Sequence, residues 1–379
     1  MPTDKRIWLL LMLFGTACGE VEEAAGVGPL QPADASTADA FLQVAPDASE
    51  PAVDAAEPPA DAAESLVDAA VPPVDAAGPS IDPAGPVFAA ATFEVRETED
   101  VVFAQGLSHA VWGSGPGQPM DLTLDIFEPI GHEHPAKPVV VVIHGGGFTG
   151  GSSKHAALSA MARAFAERGW VAFSISYRLA RDRGTLPANY PMLAGGRQNQ
   201  LRALYPACRD AKAAIRWIRA HAAEYGLHPE YITAIGGSAG SFIAVALGAT
   251  DEGDCTTEIE PEMDHTLAGT HLEQSSRVAT VIDHWGGIAI VTVLEAMGGP
   301  DRFDPTDAPI SIVHGTEDPT VNFHQAEILR DLYQSTGVPY AFHPLEGQGH
   351  GPWGARVDGR TLTRLASDFI VEQQGLEVR

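Results

Sequence analysis

The sequence predicts an α/β fold: a mostly parallel sheet with helices on both faces, preceded by a disordered Ala/Pro/Asp-rich linker. Three observations predict it. Pro138 to Ile143 is an apolar, β-branched run without alternation, the pattern of a central strand covered on both faces. Strand-like and helix-like stretches then alternate to the end of the chain. Finally, Tyr231 to Gly240 is an apolar run that breaks into glycines around Ser238, and Ser241 to Leu247 follows as a buried helix. Gly236 and Gly240 flank Ser238 in a G-x-S-x-G pattern, which fits a sharp strand-to-helix turn presenting one hydroxyl.

The chain begins as an export signal would. Lys5 and Arg6 supply positive charge, and Ile7 to Phe14 form an apolar core too short to span a bilayer. Gly15-Thr16-Ala17-Cys18 resembles the cleavage and lipidation box of bacterial lipoproteins, with Gly15 where leucine is usual. Residues 1–18 are therefore expected to be a signal peptide and Cys18 a lipidation site. That makes the protein exported, touching a membrane only through a lipid anchor, or secreted if cleavage is ordinary.

Residues 19–88 are dominated by Ala, Pro, Asp and Glu and contain no Lys or Arg. Such a stretch cannot bury enough apolar surface to offset chain entropy. Asp47, Asp54, Asp61, Asp68, Asp75 and Asp82 recur every seven residues, yet the interspersed prolines exclude a coiled coil. A self-repelling tether is expected, reaching roughly 200 Å at polyproline spacing. The 379 residues carry 50 acidic and 23 basic side chains, a formal charge of -27. Phosphate binding needs clustered cations, so nucleic acid is not an expected partner.

Residues 89–379 read as one globular domain. Strands are expected at Ala91 to Arg96 and at Met120 to Phe127, where Leu122, Leu124 and Ile126 alternate with polar residues. After the central strand, a helix is expected over Ala156 to Glu167 and a strand over Val171 to Tyr177. Leu179 to Pro206 reads as an extended loop. A helix then begins at Pro206, buries Ala211, Ala214, Ile215, Ile218 and Ala222, and closes at Gly226. Thr250 to Ser276 is a second irregular insertion. Strands at Val278 to Trp285 and Pro309 to Val313, a helix over His324 to Gln334, a strand over Tyr340 to Leu345 and a helix over Leu362 to Glu372 complete the chain.

Four groups carry chemistry. Ser238 is the candidate nucleophile. His144-Gly145-Gly146-Gly147-Phe148 forms a loop whose backbone N–H groups can converge on an anion, and it lacks the Gly-Lys-Ser/Thr ending of a phosphate loop. Asp318, just past a strand end, is the candidate acid, with Glu317 the alternative. His350 sits between glycines and suits a proton carrier near neutral pH; His343, on a strand, is its competitor.

A glycine-rich loop followed by Ser238, Asp318 and His350 in that order resembles the α/β-hydrolases, and most closely the esterase branch of bacterial feruloyl and acetylxylan esterase-like enzymes. Ser176-Tyr177-Arg178-Leu179, Ala213 to Ile218, Ser275 to Val278 and His314 to Asp318 extend the resemblance over nearly all of residues 91–379. Ser241 departs from it, since relatives often have a further glycine there. The resemblance implies an eight-stranded sheet and a serine carboxylic ester hydrolase. Its catalytic residues would be Ser238, Asp318 and His350, its oxyanion hole Gly146, Gly147 and Ala239, with no metal and no cofactor. His144 is expected to brace the loop. The substrate would be a short-acyl or aryl ester, small or linked to plant polysaccharide, and Phe148 and Trp285 would crowd the acyl site. An amide hydrolase using the same triad, or a surface-displayed binding module, are the competing readings. Cys208 and Cys255 are expected to form a disulfide in an oxidising compartment.

Overall fold

The structure is a computed structural model that describes residues 83–113, 116–191 and 197–379. The signal-like segment, Cys18 and the Asp repeat lie outside these residues. Among the described residues no helix is long and apolar enough to cross a membrane.

Eight strands form one sheet: β1 (Val95–Ser108), β2 (Gln118–Pro129), β3 (Lys137–Ile143), β4 (Val171–Ile175), β5 (Leu227–Gly237), β6 (Thr280–His284), β7 (Ile310–Gly315) and β8 (Tyr340–Leu345). Their order is β1-β2-β4-β3-β5-β6-β7-β8. β2 runs antiparallel to both its neighbours, and β4 through β8 run parallel. This is the mostly parallel eight-stranded sheet expected.

The helices divide between the faces as side-chain alternation demands. Val139, Val141 and Ile143 of β3 point into one apolar core; Val140 and Val142 point into another. The first core takes residues of α2 (Gln198–Ala220), α4 (Ala239–Ala249), α5 (Ala289–Ala296) and α6 (His324–Thr336). The second takes those of α1 (Ala156–Ala166) and α7 (Leu362–Gln374). Every residue of β3 is buried, which explains its lack of alternation. The short α3 (Ala222–Tyr225) ends at Gly226, in the left-handed conformation at φ 62° expected of a helix stop.

Several expectations need correction. The first strand starts at Val95 rather than Ala91 and runs to Ser108. It is an edge strand whose first half is charged and exposed, so pairing with β2 defines it, not a local apolar pattern. The domain also begins earlier than residue 89. Gly85 N–H donates to the Ala136 carbonyl at 2.7 Å, Val87 N–H to the Glu377 carbonyl at 2.9 Å, and Val87 bridges Val378.

Helix α2 begins at Gln198, not Pro206, and carries Pro206 inside it. One missing N–H is outweighed because the turns around it bury Leu201, Leu204, Tyr205 and Cys208. The short α5, two turns of mostly apolar residues ending at the half-buried Glu295 and Ala296, was not expected. Cys208 and Cys255 are free thiols, both completely buried, so the disulfide is absent. Burial, with the neighbouring Cys208 thiol hydrogen-bonded to it, pushes the Cys255 thiol up. The thiolate that disulfide exchange requires is thereby disfavoured.

The insertion after α4 lacks regular structure beyond a single 3-10 turn at His265–Gly269, yet it is firmly tied. One buried row of cations on α2 fastens it. Arg209 donates to the Asp264 carboxylate at 2.6 Å, Lys212 to the Asp251 carbonyl, Arg216 to the Thr270 carbonyl at 2.7 Å and Arg219 to the Ser275 carbonyl at 2.6 Å. Positions 209, 212, 216 and 219 fall on one helical face.

Candidate active site

The site lies at the carboxyl edge of the sheet, where β3, β5, β6, β7 and β8 each end in a loop. β5 ends at Gly237 and α4 begins at Ala239, leaving Ser238 alone at the turn with φ 54° and ψ −121°. That conformation is strained for a residue with a Cβ and persists only because the surroundings hold it. The turn is tight enough that a Cβ on Gly240 would stand 2.0 Å from the Ile143 carbonyl oxygen. This is the physical reason for a glycine there.

Ser238 Oγ lies 2.9 Å from His350 Nε2, and His350 Nδ1 lies 2.7 Å from Asp318 Oδ2. The other Asp318 oxygen accepts the backbone N–H groups of Thr320 at 2.8 Å and Val321 at 3.0 Å. His314 Nε2 stands 3.4 Å from Oδ2 while donating to the Val321 carbonyl at 2.8 Å. Burial alone would raise the Asp318 pKa. The hydrogen bonds from His314, His350 and the two N–H groups outweigh it and hold the carboxyl well below its ordinary range. Glu317 is exposed and turned away, with its N–H on the Gln348 carbonyl. His343 stays on β8, in register with Val313.

The glycine loop after β3 lies beside the same hydroxyl. Gly146 has φ 111°, and a Cβ there would stand 2.3 Å from the Gly150 carbonyl oxygen, so only glycine closes this turn. His144 braces the loop as expected. Its Nδ1 bonds the Gly145 carbonyl at 2.7 Å, its ring stacks on Tyr177 with centroids 4.2 Å apart, and the Tyr177 hydroxyl donates to the His144 carbonyl at 2.8 Å. Burial lowers its pKa to about 4, which keeps the ring neutral at physiological pH.

Gly146, Gly147, Ser238, Ala239 and His350 line one pocket of about 350 Å³. Phe148, Phe242, Trp285 and Trp353 also line it, as do Arg197 and Gln200. Phe148 and Trp285 are 0% and 1% exposed and cannot swing aside without opening the core.

Several of these residues were not found from the sequence. Gln200 donates to the Gly147 carbonyl at 3.0 Å and so orients a peptide of the glycine loop, but nothing in its neighbourhood signals this. Trp353 lies three residues after His350 in a glycine-rich loop, a proximity that is itself a signal in the sequence. The arrangement places a hydroxyl against an imidazole, that imidazole against a carboxylate, and a glycine loop in the same pocket, the set of groups that nucleophilic catalysis uses.

The BD-FAE family model matches residues 124–191 and 197–302, covering the glycine loop and Ser238 but ending before Asp318 and His350. Esterase LipQ of Mycobacterium tuberculosis is 28% identical over 257 residues, 62% of this chain and 55% of that one. The chain thus spans little more than half of that relative. A thermophilic esterase from the Planctomycetes species Thermogutta terrifontis, solved with propionate bound, is 26% identical with TM-score 0.52. The match covers 74% of this chain and 94% of that one. The same esterase has been solved phosphorylated by paraoxon, at 27% identity and TM-score 0.50. A truncated carbohydrate esterase from gut microbiota, 23% identical with TM-score 0.51 over 76% of this chain and 99% of that one, shares the fold.

Proposed function

We propose that this chain, which has the α/β-hydrolase fold, is a serine carboxylic ester hydrolase acting on short-acyl or aryl esters through an acyl-enzyme. The observation that carries the reading is the continuous path from Ser238 through His350 to Asp318, at 2.9 and 2.7 Å, opening into a pocket beside three glycines.

In this reading Ser238 Oγ attacks the ester carbonyl while His350 Nε2 takes its proton. Asp318 holds the imidazole in the tautomer with hydrogen on Nδ1 and stabilises the imidazolium. The N–H groups of Gly146, Gly147 and Ala239 receive the developing oxyanion. His350 returns the proton to the departing alcohol, then activates a water that releases the acid.

The pocket supports a small acyl group. Phe148, Phe242 and Trp285 line it beside Ser238 and are buried too firmly to move aside, so they would crowd a long acyl chain, and a similar esterase was solved with propionate bound. The test is a series of 4-nitrophenyl esters. kcat/KM for acetate through butyrate should exceed that for decanoate by about tenfold or more, since the extra methylenes would meet these fixed rings. Faster turnover of acyl chains of ten or more carbons would refute the closed acyl site. Absence of turnover with every ester, alongside cleavage of the matching anilides, would move the assignment to amides.

We further infer that the domain is exported and held to the cell envelope through Cys18, with residues 19–88 as its tether. The support is the charged, apolar and small-residue layout before Cys18. Labelled fatty acid should enter the full-length chain in bacteria and fail to enter Cys18→Ser; equal labelling of both would overturn the anchor.

A further inference from the structure

Strand β6 ends directly behind the nucleophile turn. We propose that Ser241, Asp283 and His284 form a clamp that positions Ser238, acting through the backbone and touching no substrate. This rests on the ester-hydrolase reading.

Three hydrogen bonds tie the turn to His284. The Ser238 N–H donates to the His284 carbonyl at 2.9 Å, the His284 ring Nδ1–H donates to the Gly236 carbonyl at 3.1 Å, and the His284 N–H donates to Ser241 Oγ at 2.9 Å. The same hydroxyl donates its own proton to Asp283 Oδ1. Gly286 N–H donates to the same oxygen at 3.0 Å. Ser241, Asp283 and His284 are each 0% exposed.

The neighbouring strand end therefore grips the chain two residues before Ser238, at Ser238 itself and three residues after it. The fit is close. A Cβ on Gly286 would stand 2.4 Å from Ser241 Cβ and 2.6 Å from Asp283 Oδ1. Ser238 has a positive φ, which costs energy and persists only where neighbouring contacts over-determine it, and these are such contacts. The Asp283 carboxyl contacts Ser241 and Gly286, so the serine hydroxyl couples it to helix α4. Relaxing the turn would displace Oγ from the 2.9 Å contact with His350, and small misplacements of a reacting group are costly.

The experiment compares Ser241→Ala, Asp283→Asn, Asp283→Ala and the Ser241→Ala/Asp283→Ala double variant with the wild-type chain. Readouts are kcat and KM on 4-nitrophenyl acetate, the rate of Ser238 phosphorylation by paraoxon, and the melting temperature. Ser241→Ala should lower kcat and the phosphorylation rate by about tenfold, with KM within about twofold. Asp283→Asn retains an oxygen for Ser241 and Gly286 and should keep both rates within about threefold of wild type. Asp283→Ala should match Ser241→Ala, and the double variant should be no worse than the poorer single one.

Wild-type rates in Ser241→Ala, or a loss only in step with the unfolded fraction, would overturn the clamp while leaving the esterase assignment intact. If Asp283→Ala does not fold, Ser241→Ala and Asp283→Asn decide. A wild-type chain that neither hydrolyses the ester nor takes the phosphoryl group would defeat the functional reading instead, and the clamp with it.

Discussion

Replacing Ser238 with alanine should eliminate ester hydrolysis and leave the fold intact. The loss in kcat is expected on the order of 10⁴ to 10⁶, the range seen when a serine hydrolase loses its nucleophile, with a residue from transition-state binding alone. The fold should survive because alanine keeps the Cβ that already occupies the turn at φ 54° and the N–H that reaches the His284 carbonyl. Only the hydroxyl and its contact with His350 are removed. The check combines 4-nitrophenyl acetate hydrolysis, a melting curve, and the mass of the protein after paraoxon treatment. The variant should melt near wild type and gain no diethylphosphoryl group. Turnover above about 1% of wild type by the folded variant would remove Ser238 from its role. Adding His350→Ala to Ser238→Ala should cost little more, since the two act as one unit.

Asp318→Asn should lower kcat by about 10³ to 10⁴. The amide oxygen can still accept the Thr320 and Val321 N–H groups, so the loop should hold. The group facing His350 Nδ1 at 2.7 Å becomes an amide donor, however, and turns the imidazole to the wrong tautomer. Glu317→Gln, on an exposed side chain, should leave activity nearly unchanged; the reverse ranking would show the acid misassigned.

The depressed pKa also has a pH signature. The Asp318 carboxylate is more acidic in the folded chain than in the unfolded one, so its stabilising contribution is fully present above about pH 4 and disappears as pH falls through the folded value. The wild-type advantage in melting temperature over Asp318→Asn should therefore be largest near neutrality and shrink in acid. An advantage that grew as pH fell would contradict the hydrogen-bonded carboxylate.

What could be read along the chain was whatever neighbouring residues impose on one another. The β3 run announced a strand covered on both faces, and the glycines around Ser238 and after His144 announced turns that a Cβ would block. The placement of Asp318 and His350 just after strands put both groups at one edge of a parallel sheet. These constraints act over a few bonds, through sterics and the two-residue period of a strand.

The rest depends on partners far apart in sequence. The charged first half of β1 is a strand because β2 pairs with it, and α2 runs through Pro206 because its flanking turns are buried. The cation row of α2 is buried only because the chain returns some fifty residues later to supply carbonyls and a carboxylate. Likewise Gln200 bonds Gly147 across 53 positions and Ser241 meets Asp283 across 42. From the sequence alone came the class of fold and the candidate reacting groups, since turn geometry and strand patterning are local. Only the tertiary structure decided which side chains hold those groups in place, because a hydrogen bond between distant residues exists only once the sheet has brought their elements together.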